Sequence, residues 1–247
     1  MFGLFVALVC AGAAVRPVVL LHGMLATNQS MDEAAGWVRA AFPGVYVANL
    51  DTGSRLGALV ADMNTLCAQV AALIKADPQL QSGFNGIGHS QGGLLLRCYV
   101  ERYMHLGYPR MHNLVSWLGV QNGVFGVPAV NALCPDRWPW CLALDALLDT
   151  FLDDPGTSYG VQDHLTFADF WKDIMHYDDY LRLNSFLADV NNERPAKKAQ
   201  YRSNMLLLEG FLCVYGLQVS QWVGEGAAAD CGGWTGHGGD SADLAHL

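Results

Sequence analysis

The hydrophobic positions of this chain alternate between short unbroken apolar runs and longer amphipathic stretches. The run from Val18 to Leu21 follows a proline and ends at His22-Gly23, which is typical of a fully buried parallel strand. Residues 32–41 have an acidic first turn that complements a helix dipole, and Pro43-Gly44 ends this predicted helix. The chain therefore opens with a strand followed by a helix.

The same alternation continues along the chain. A long amphipathic helix is predicted from Leu59 to Ala76, closed by Asp77-Pro78. The other predicted elements are a strand at 45–50, a strand at 83–89, a helix at 91–104, a strand at 114–120 and a helix turning into a strand at 201–216. This order predicts an α/β protein with a mostly parallel sheet and helices on both of its faces.

Two regions depart from this pattern. Residues 128–195 hold a tryptophan-proline cluster, an aspartate-rich stretch and helical pieces, which predicts an inserted cap that forms the wall or lid of a binding site. Residues 219–247 are rich in glycine, lack a hydrophobic period and are not expected to form part of the native fold. The predicted folded domain is thus 15–218, with the cap inserted in it.

Residues 1–14 are predicted to be a signal peptide. Their apolar run, Phe2 to Cys10, is too short to span a bilayer, and small residues follow it as at a cleavage site. Because no positive charge precedes the run, a buried first strand is the alternative. The six cysteines beyond this segment suit disulfides in an oxidising compartment, although buried free thiols fit the count as well. Entry into the secretory pathway is expected, where the sequon at Asn28 would be available for glycosylation.

Composition and charge narrow the possible functions. With 247 residues, of which 52% are hydrophobic and 15% charged, the chain suits one globular domain. The formal net charge is −9 and the largest basic cluster is Lys197-Lys198, which disfavours nucleic acid as a partner. The histidines and cysteines lack the spacing of metal ligands, so neither a metal nor another cofactor is expected.

The stretch Gly88-His89-Ser90-Gln91-Gly92 matches the G-x-S-x-G nucleophile elbow. In such an elbow the serine occupies a strained turn from a strand to a helix, and glycines are needed where neighbouring backbone approaches closely. A predicted strand precedes Ser90 and a predicted helix follows it, so the helix dipole would favour negative charge developing at the serine. Ser90 is the candidate catalytic nucleophile.

An activated serine also needs an oxyanion hole, made by two backbone N–H groups. One is expected from Gln91, the residue after the nucleophile, and the other from the loop after an early strand. There, Gly23 allows close approach and Met24 supplies the amide. The alternative for His22-Gly23 is a simple glycine between a strand and a loop.

The histidines offer no clear general base. His89 adjoins Ser90 in sequence but should point away from the tip of the elbow, so a packed or surface histidine is the better interpretation. In the chain order of such hydrolases the base follows the acid and comes last. Four histidines precede the last predicted strand and are therefore interpreted as structural: His105, His112, His164 and His176.

Several stretches together resemble the palmitoyl-protein thioesterases of the lysosome, over about residues 16–218. They are "LLHGM", "PGVYV", "DPQLQSGFNGIGHSQGG", "NLVSWLGVQNGVFGVP", the cysteine pair around "PDRWPW", and "SFLADVNNER". The resemblance implies an α/β-hydrolase fold in which Ser90 attacks a thioester while the amides of Met24 and Gln91 bind the oxyanion. It implies S-palmitoylated proteins or other acyl thioesters as substrates, bound in a groove that the insert helps to build.

The resemblance also bears on the cysteines. It implies a disulfide between Cys134 and Cys141. Cys67 and Cys98 lie about one helical turn from positions that the family bridges, which leaves a shifted bridge open.

The resemblance stops near residue 219. Val219 occupies the position of the family's catalytic aspartate, and the family's histidine lies still further along. Either the last segment supplies substitutes, or residues 219–247 are not the native C-terminus. The second is favoured, because codons for Gln-Val-Ser at 218–220 can resemble a splice donor that was read through. The substitutes under the first explanation are Glu225, Asp230, Asp240 or Asp243 as acid and His237 or His246 as base.

The predicted function is that of a serine thioesterase that removes palmitate or similar acyl groups from protein cysteines, without a membrane span, in the lysosome or outside the cell. The C-terminal elements of the fold are expected to be missing, which makes activity of this chain doubtful. One alternative is another acyl hydrolase, a lipase or carboxylesterase. The other is an acyl-binding protein that has lost the triad.

Overall fold

The computed structural model describes residues 15–53, 57–125 and 155–215. Within them, a parallel five-stranded sheet has the strand order β2-β1-β3-β4-β5. The strands are β1 (Val18–Leu21), β2 (Val47–Leu50), β3 (Phe84–His89), β4 (Met111–Trp117) and β5 (Gly210–Val214). The predicted α/β class with a parallel sheet is confirmed.

The carboxyl ends of the strands meet at one edge of this sheet. Leu21 pairs with Leu50 on one side and Gly88 on the other, and Trp117 pairs with both His89 and Val214. The chain passes from β1 to β2 on one side of β1 and then returns to form β3 on the other side. The direction in which successive strands are added to the sheet therefore reverses between β1 and β3. Such a switch point opens a crevice at the carboxyl ends of the two strands, where ligands bind in sheets of this kind.

Helices cover both faces of the sheet. They are α1 (Asp32–Ala41), α2 (Gly57–Val60), α3 (Met63–Ala76), α4 (Gln91–Tyr103), α5 (Pro155–Gly160), α6 (Thr166–Asp169), α7 (Tyr177–Leu183), α8 (Leu187–Val190) and α9 (Ala199–Met205). Val19 and Leu21 face the larger core, which is built with α3 and α4, whereas Val18 and Leu20 face a smaller core beneath α1. The unbroken apolar run of β1 is thus explained by burial on both faces.

The predicted helix from Leu59 to Ala76 is wrong in one respect, since the structure divides it in two. The side chain of Asp62 accepts a hydrogen bond at 2.9 Å from the backbone N–H of Thr65 and so caps the start of α3. An aspartate before the first turn satisfies a backbone donor that has no partner within the helix. The apolar period of the sequence continues across Asp62, but the helix is interrupted there.

The predicted insert is described from residue 155 onward, as the short helices α5 to α8. Asp189 of α8 accepts hydrogen bonds from Arg102 of α4 at 2.7 Å, from Lys198 at 2.5 Å and from Tyr201 at 2.9 Å. Glu193 accepts hydrogen bonds at 2.5 Å from Lys172 and from the Tyr180 hydroxyl. The stretch "FLADVNNER" therefore supplies the carboxylates that tie the described part of the insert together and to α4.

A disulfide joins Cys67 of α3 to Cys98 of α4, the shifted bridge that the resemblance left open. The implied pair Cys134 and Cys141 lies outside the described residues, as do residues 1–14 and 219–247. None of the helices in the described ranges is both long enough and apolar enough to cross a bilayer.

Candidate active site

Ser90 lies in the turn between β3 and α4, at the switch point of the sheet. Its backbone has φ 52° and ψ −122°, a left-handed conformation that costs energy for a residue with a Cβ atom. Two hydrogen bonds hold the turn: the Ser90 N–H donates to the Trp117 carbonyl at 2.8 Å, and the Gly93 N–H donates to the Ser90 carbonyl at 3.0 Å. The strained serine expected of a nucleophile elbow is therefore present.

The glycines of the motif are required by space. A Cβ atom on Gly88 would lie 2.4 Å from the backbone nitrogen of Gly93. One on Gly92 would lie 2.4 Å from the carbonyl oxygen of Leu21 and 2.5 Å from that of His22. Both distances are far below van der Waals contact, so the first turn of α4 can approach β1 and β3 this closely only without side chains.

The two predicted oxyanion donors lie on either side of this crevice. Gln91 is the first residue of α4 and is buried, so its backbone N–H belongs to the positive end of the helix. Met24 follows β1, and the adjoining Gly23 is so near the nucleophile that a Cβ on it would lie 3.0 Å from the Cβ of Ser90. The structure thus brings Ser90, Gln91 and the Gly23-Met24 loop together.

His22, at the end of β1, has no exposed side-chain surface. Its Nδ1 lies 2.9 Å from the Gly23 carbonyl oxygen, and its Nε2 lies 3.1 Å from the Thr52 hydroxyl and 3.6 Å from a carboxylate oxygen of Asp51. Asp51 and Thr52 are not among the predicted site residues. The available clue was that two polar residues directly follow β2, at the edge where ligands bind.

His89 lies beside Gly23, where an added Cβ would be 3.2 Å from its Nδ1. Its ring meets that of Trp117 edge-on, with centroids 5.2 Å apart. Burial of the ring, with a smaller contribution from His22, lowers the pKa of His89 and favours the neutral imidazole. The half-buried ring therefore contacts Trp117 and lies close to the Gly23 loop.

Three other described histidines have hydrogen-bond partners other than Ser90. His112 bonds Glu209 at 2.7 Å, His176 bonds Asp173 at 2.8 Å and His105 bonds Asn204 at 2.8 Å. His164 ends a short 3-10 segment, Gln162–His164.

No side chain in the described ranges hydrogen-bonds the Ser90 hydroxyl. The predicted acid and base candidates, together with Val219, lie outside those ranges. β5 ends at the same edge of the sheet as Ser90.

An apolar wall adjoins Met24. The Thr166 hydroxyl of α6 contacts the Met24 sulfur at 3.8 Å. Beside it, the Trp171 ring lies 5.6 Å from Phe125 and 5.7 Å from Phe167, measured between centroids. Among the described residues, no group of three His, Cys, Asp or Glu side chains could hold a metal ion.

The sheet, its switch point and the serine elbow define an α/β hydrolase. Solved structures with similarity to this chain include a lipase from Bacillus licheniformis, with a TM-score of 0.47 and 16% identity over 84% of this chain and 68% of that one. The profile of the palmitoyl protein thioesterase family matches residues 17–219, and the chain belongs to that family.

Curated relatives agree. Palmitoyl-protein thioesterase 3 of Dictyostelium discoideum is 37% identical over 206 residues, which are 82% of this chain and 65% of the relative. Palmitoyl-protein thioesterase 1 of Caenorhabditis elegans is 34% identical over 206 residues, which cover 80% and 65% of the two chains. The human lysosomal thioesterase PPT2 is 24% identical over 83% of this chain and 63% of its own length. The matched part spans about two thirds of the length of these relatives.

Proposed function

We propose that this protein is a serine thioesterase that hydrolyses long-chain acyl thioesters, with Ser90 as nucleophile. The observation that carries the proposal is the strained elbow at Ser90, placed at the start of α4 and beside the Gly23-Met24 loop. The membership of the chain in the palmitoyl thioesterase family supports the choice of a thioester over other acyl groups.

The reaction proceeds in two halves. A general base removes the proton of the Ser90 hydroxyl as its oxygen attacks the thioester carbonyl. The N–H groups of Met24 and Gln91 bind the oxyanion of the tetrahedral intermediate. The carbon–sulfur bond then breaks, the thiolate leaves and takes up a proton, and water hydrolyses the acyl-serine to release the fatty acid. A thiolate leaves readily, so acid assistance is less important than in amide hydrolysis.

Neither the base nor its acid partner is assigned among the described residues. In the chain order of such hydrolases the acid and then the base follow the nucleophile and come last. No individual residue beyond 215 is assigned to either role.

S-palmitoylated proteins are the proposed substrates. The names of the relatives from Dictyostelium and Caenorhabditis support this choice. A long acyl chain also needs an apolar wall near the nucleophile, and the partly buried side chains of Met24, Phe125 and Phe167 offer one. We further place the protein in the secretory pathway and the lysosome, because its disulfide needs an oxidising compartment and the human and bovine relatives are lysosomal by name. Asn28 is a candidate glycosylation site there.

The test measures hydrolysis of different substrates by the full-length chain, produced in a eukaryotic secretory system. Hydrolysis of a palmitoyl-cysteine peptide is expected to exceed that of a short-chain ester, and Ser90→Ala should abolish both hydrolysis and labelling by a fluorophosphonate. Ser82→Ala, a change of an exposed serine two residues before β3, is the matched control.

Two results would contradict the proposal. A preference for the short-chain ester would indicate a lipase or carboxylesterase instead. Fatty-acid binding without hydrolysis or labelling of Ser90 would indicate an acyl-binding protein.

A further inference from the structure

The loop that follows β1 contains an unfavourable backbone conformation. Leu25, next to the proposed oxyanion donor Met24, has φ 59°, in the left-handed region that is unfavourable for a leucine. Such strain persists only where surrounding contacts hold the backbone in place. Contacts around the loop must therefore hold this conformation.

His22 makes these contacts on both sides of its ring. A carbonyl oxygen only accepts hydrogen bonds, so Nδ1 carries the hydrogen that it donates to the Gly23 carbonyl at 2.9 Å. In the neutral ring Nε2 is then an acceptor, and the Thr52 backbone N–H at 3.4 Å and hydroxyl at 3.1 Å donate to it. The buried ring thus connects the end of β2 to the first peptide of the loop.

That first peptide is the one that carries the proposed oxyanion donor. The Gly23 carbonyl and the Met24 N–H belong to the same planar trans peptide group, so they point in opposite directions. Fixing the carbonyl with His22 therefore fixes the direction of the N–H. Because Gly23 lies against Ser90, the peptide that His22 holds adjoins the nucleophile.

We propose that His22 is a positioning residue, which aims the Met24 amide at the oxyanion by holding the Gly23 carbonyl, and that Thr52 holds its ring. The inference rests on the proposed function, since it assigns Met24 to the oxyanion hole. His22 does not touch substrate in this role. Its loss should slow the chemical step, because a donor that is misplaced by about 1 Å can cost roughly 100-fold in rate.

Two substitutions separate the two contacts of the ring. The amide nitrogen of His22→Asn occupies nearly the place of Nδ1 and keeps the bond to Gly23, whereas His22→Gln reaches towards the place of Nε2 and keeps only Thr52. His22→Asn is expected to retain kcat within about threefold, and His22→Gln to lose roughly 30- to 100-fold with little change in KM. Thr52→Val should reduce kcat modestly, and Thr52→Ser should not.

The controls are His105→Asn and His105→Gln, at the far end of α4, which should leave kcat unchanged. Thermal unfolding of every variant shows whether a loss of rate reflects a loss of fold. Wild-type kcat in His22→Gln would overturn the inference. So would equal losses in the asparagine and glutamine variants at matched stability.

A wild-type protein without thioesterase activity would contradict the proposed function but not decide this inference. Crystal structures of the two His22 variants decide it in that case. Rotation of the Gly23-Met24 peptide in His22→Gln, with the native orientation kept in His22→Asn, would support the positioning role. An unchanged loop in both variants would refute it.

Discussion

Asp169 of α6 accepts a hydrogen bond at 2.6 Å from the backbone N–H of Met63, the first residue of α3. The Ser185 hydroxyl donates to the other carboxylate oxygen at 3.0 Å, and the side chain is fully buried. A carboxylate of the insert therefore accepts a hydrogen bond from a free backbone N–H at the N-terminus of α3, a helix of the main domain.

This contact predicts a dependence of stability on pH. Burial raises the pKa of Asp169 to about 7, against the bonds from Met63 and Ser185, and burial raises the pKa of Glu101 to about 7 despite the nearby Arg97 and Arg102. Between roughly pH 4 and 7 the native state holds protons that the unfolded chain has released, so stability falls as pH rises through 7.

The expected loss between pH 5 and pH 8 is roughly 5 kcal/mol for the two groups together, since each loses about two pKa units of stabilisation and one unit corresponds to about 1.4 kcal/mol. Urea unfolding across this range measures it. Asp169→Asn should remove about half of this dependence, and Asp178→Asn, at an exposed position, should leave it unchanged. A wild-type stability that is constant or rises with pH would refute the prediction.

The bridge between α3 and α4 predicts sensitivity to reduction. Cys67 and Cys98 are 31 residues apart, and closing a loop of that length in the unfolded chain is worth about 3–4 kcal/mol. Cys67→Ala combined with Cys98→Ala should lower the free energy of unfolding by this amount and reduce the effect of a reducing agent by the same amount. Cys213→Ala, which leaves the bridge intact, should retain that effect; equal stability with and without reductant in the wild type would contradict the assignment.

Two glycine-to-alanine changes should have opposite effects. Gly92→Ala places a Cβ against the carbonyl oxygens of Leu21 and His22 and is expected to destabilise by roughly 2 kcal/mol or more and to abolish labelling of Ser90. Gly36→Ala, in α1, meets nothing within 4 Å and should stabilise by about 0.5–1 kcal/mol. Urea unfolding measures both, and a neutral Gly92→Ala would show that α4 can move away from β1.

The carboxylate of Asp189 should matter far more than that of a surface ion pair. Asp189→Ala leaves the mostly buried Arg102 without its partner at 2.7 Å and is expected to cost roughly 3 kcal/mol. Asp179→Ala removes an exposed pair with Arg182 and should cost less than about 0.5 kcal/mol. Thermal or urea unfolding compares the two, and similar losses would mean that the Asp189 cluster is solvated in solution.

Local sequence patterns were sufficient to predict the parts of this protein that depend on neighbours along the chain. The strand at Val18–Leu21, the helix at Asp32–Ala41 and the strand-serine-helix order around Ser90 could be predicted because hydrophobic period, helix ends and glycine spacing are local properties. The motif glycines could likewise be predicted, since backbone crowding at an elbow is a property of the turn itself. Asp62 could also have been recognised as a helix cap from the sequence, but the apolar period on both sides of it indicated one continuous helix.

Tertiary structure alone decided the contacts that join distant segments. Thr52 lies 30 residues from His22, and Met63 lies 106 residues from Asp169, so no local pattern links either pair. The left-handed backbone of Leu25 is equally hidden, because leucine has no preference for that conformation and adopts it only under the constraint of its surroundings. Elements follow from short-range periodicity, whereas the support of the site follows from how the parallel sheet brings the ends of β1, β2 and β3 to one edge.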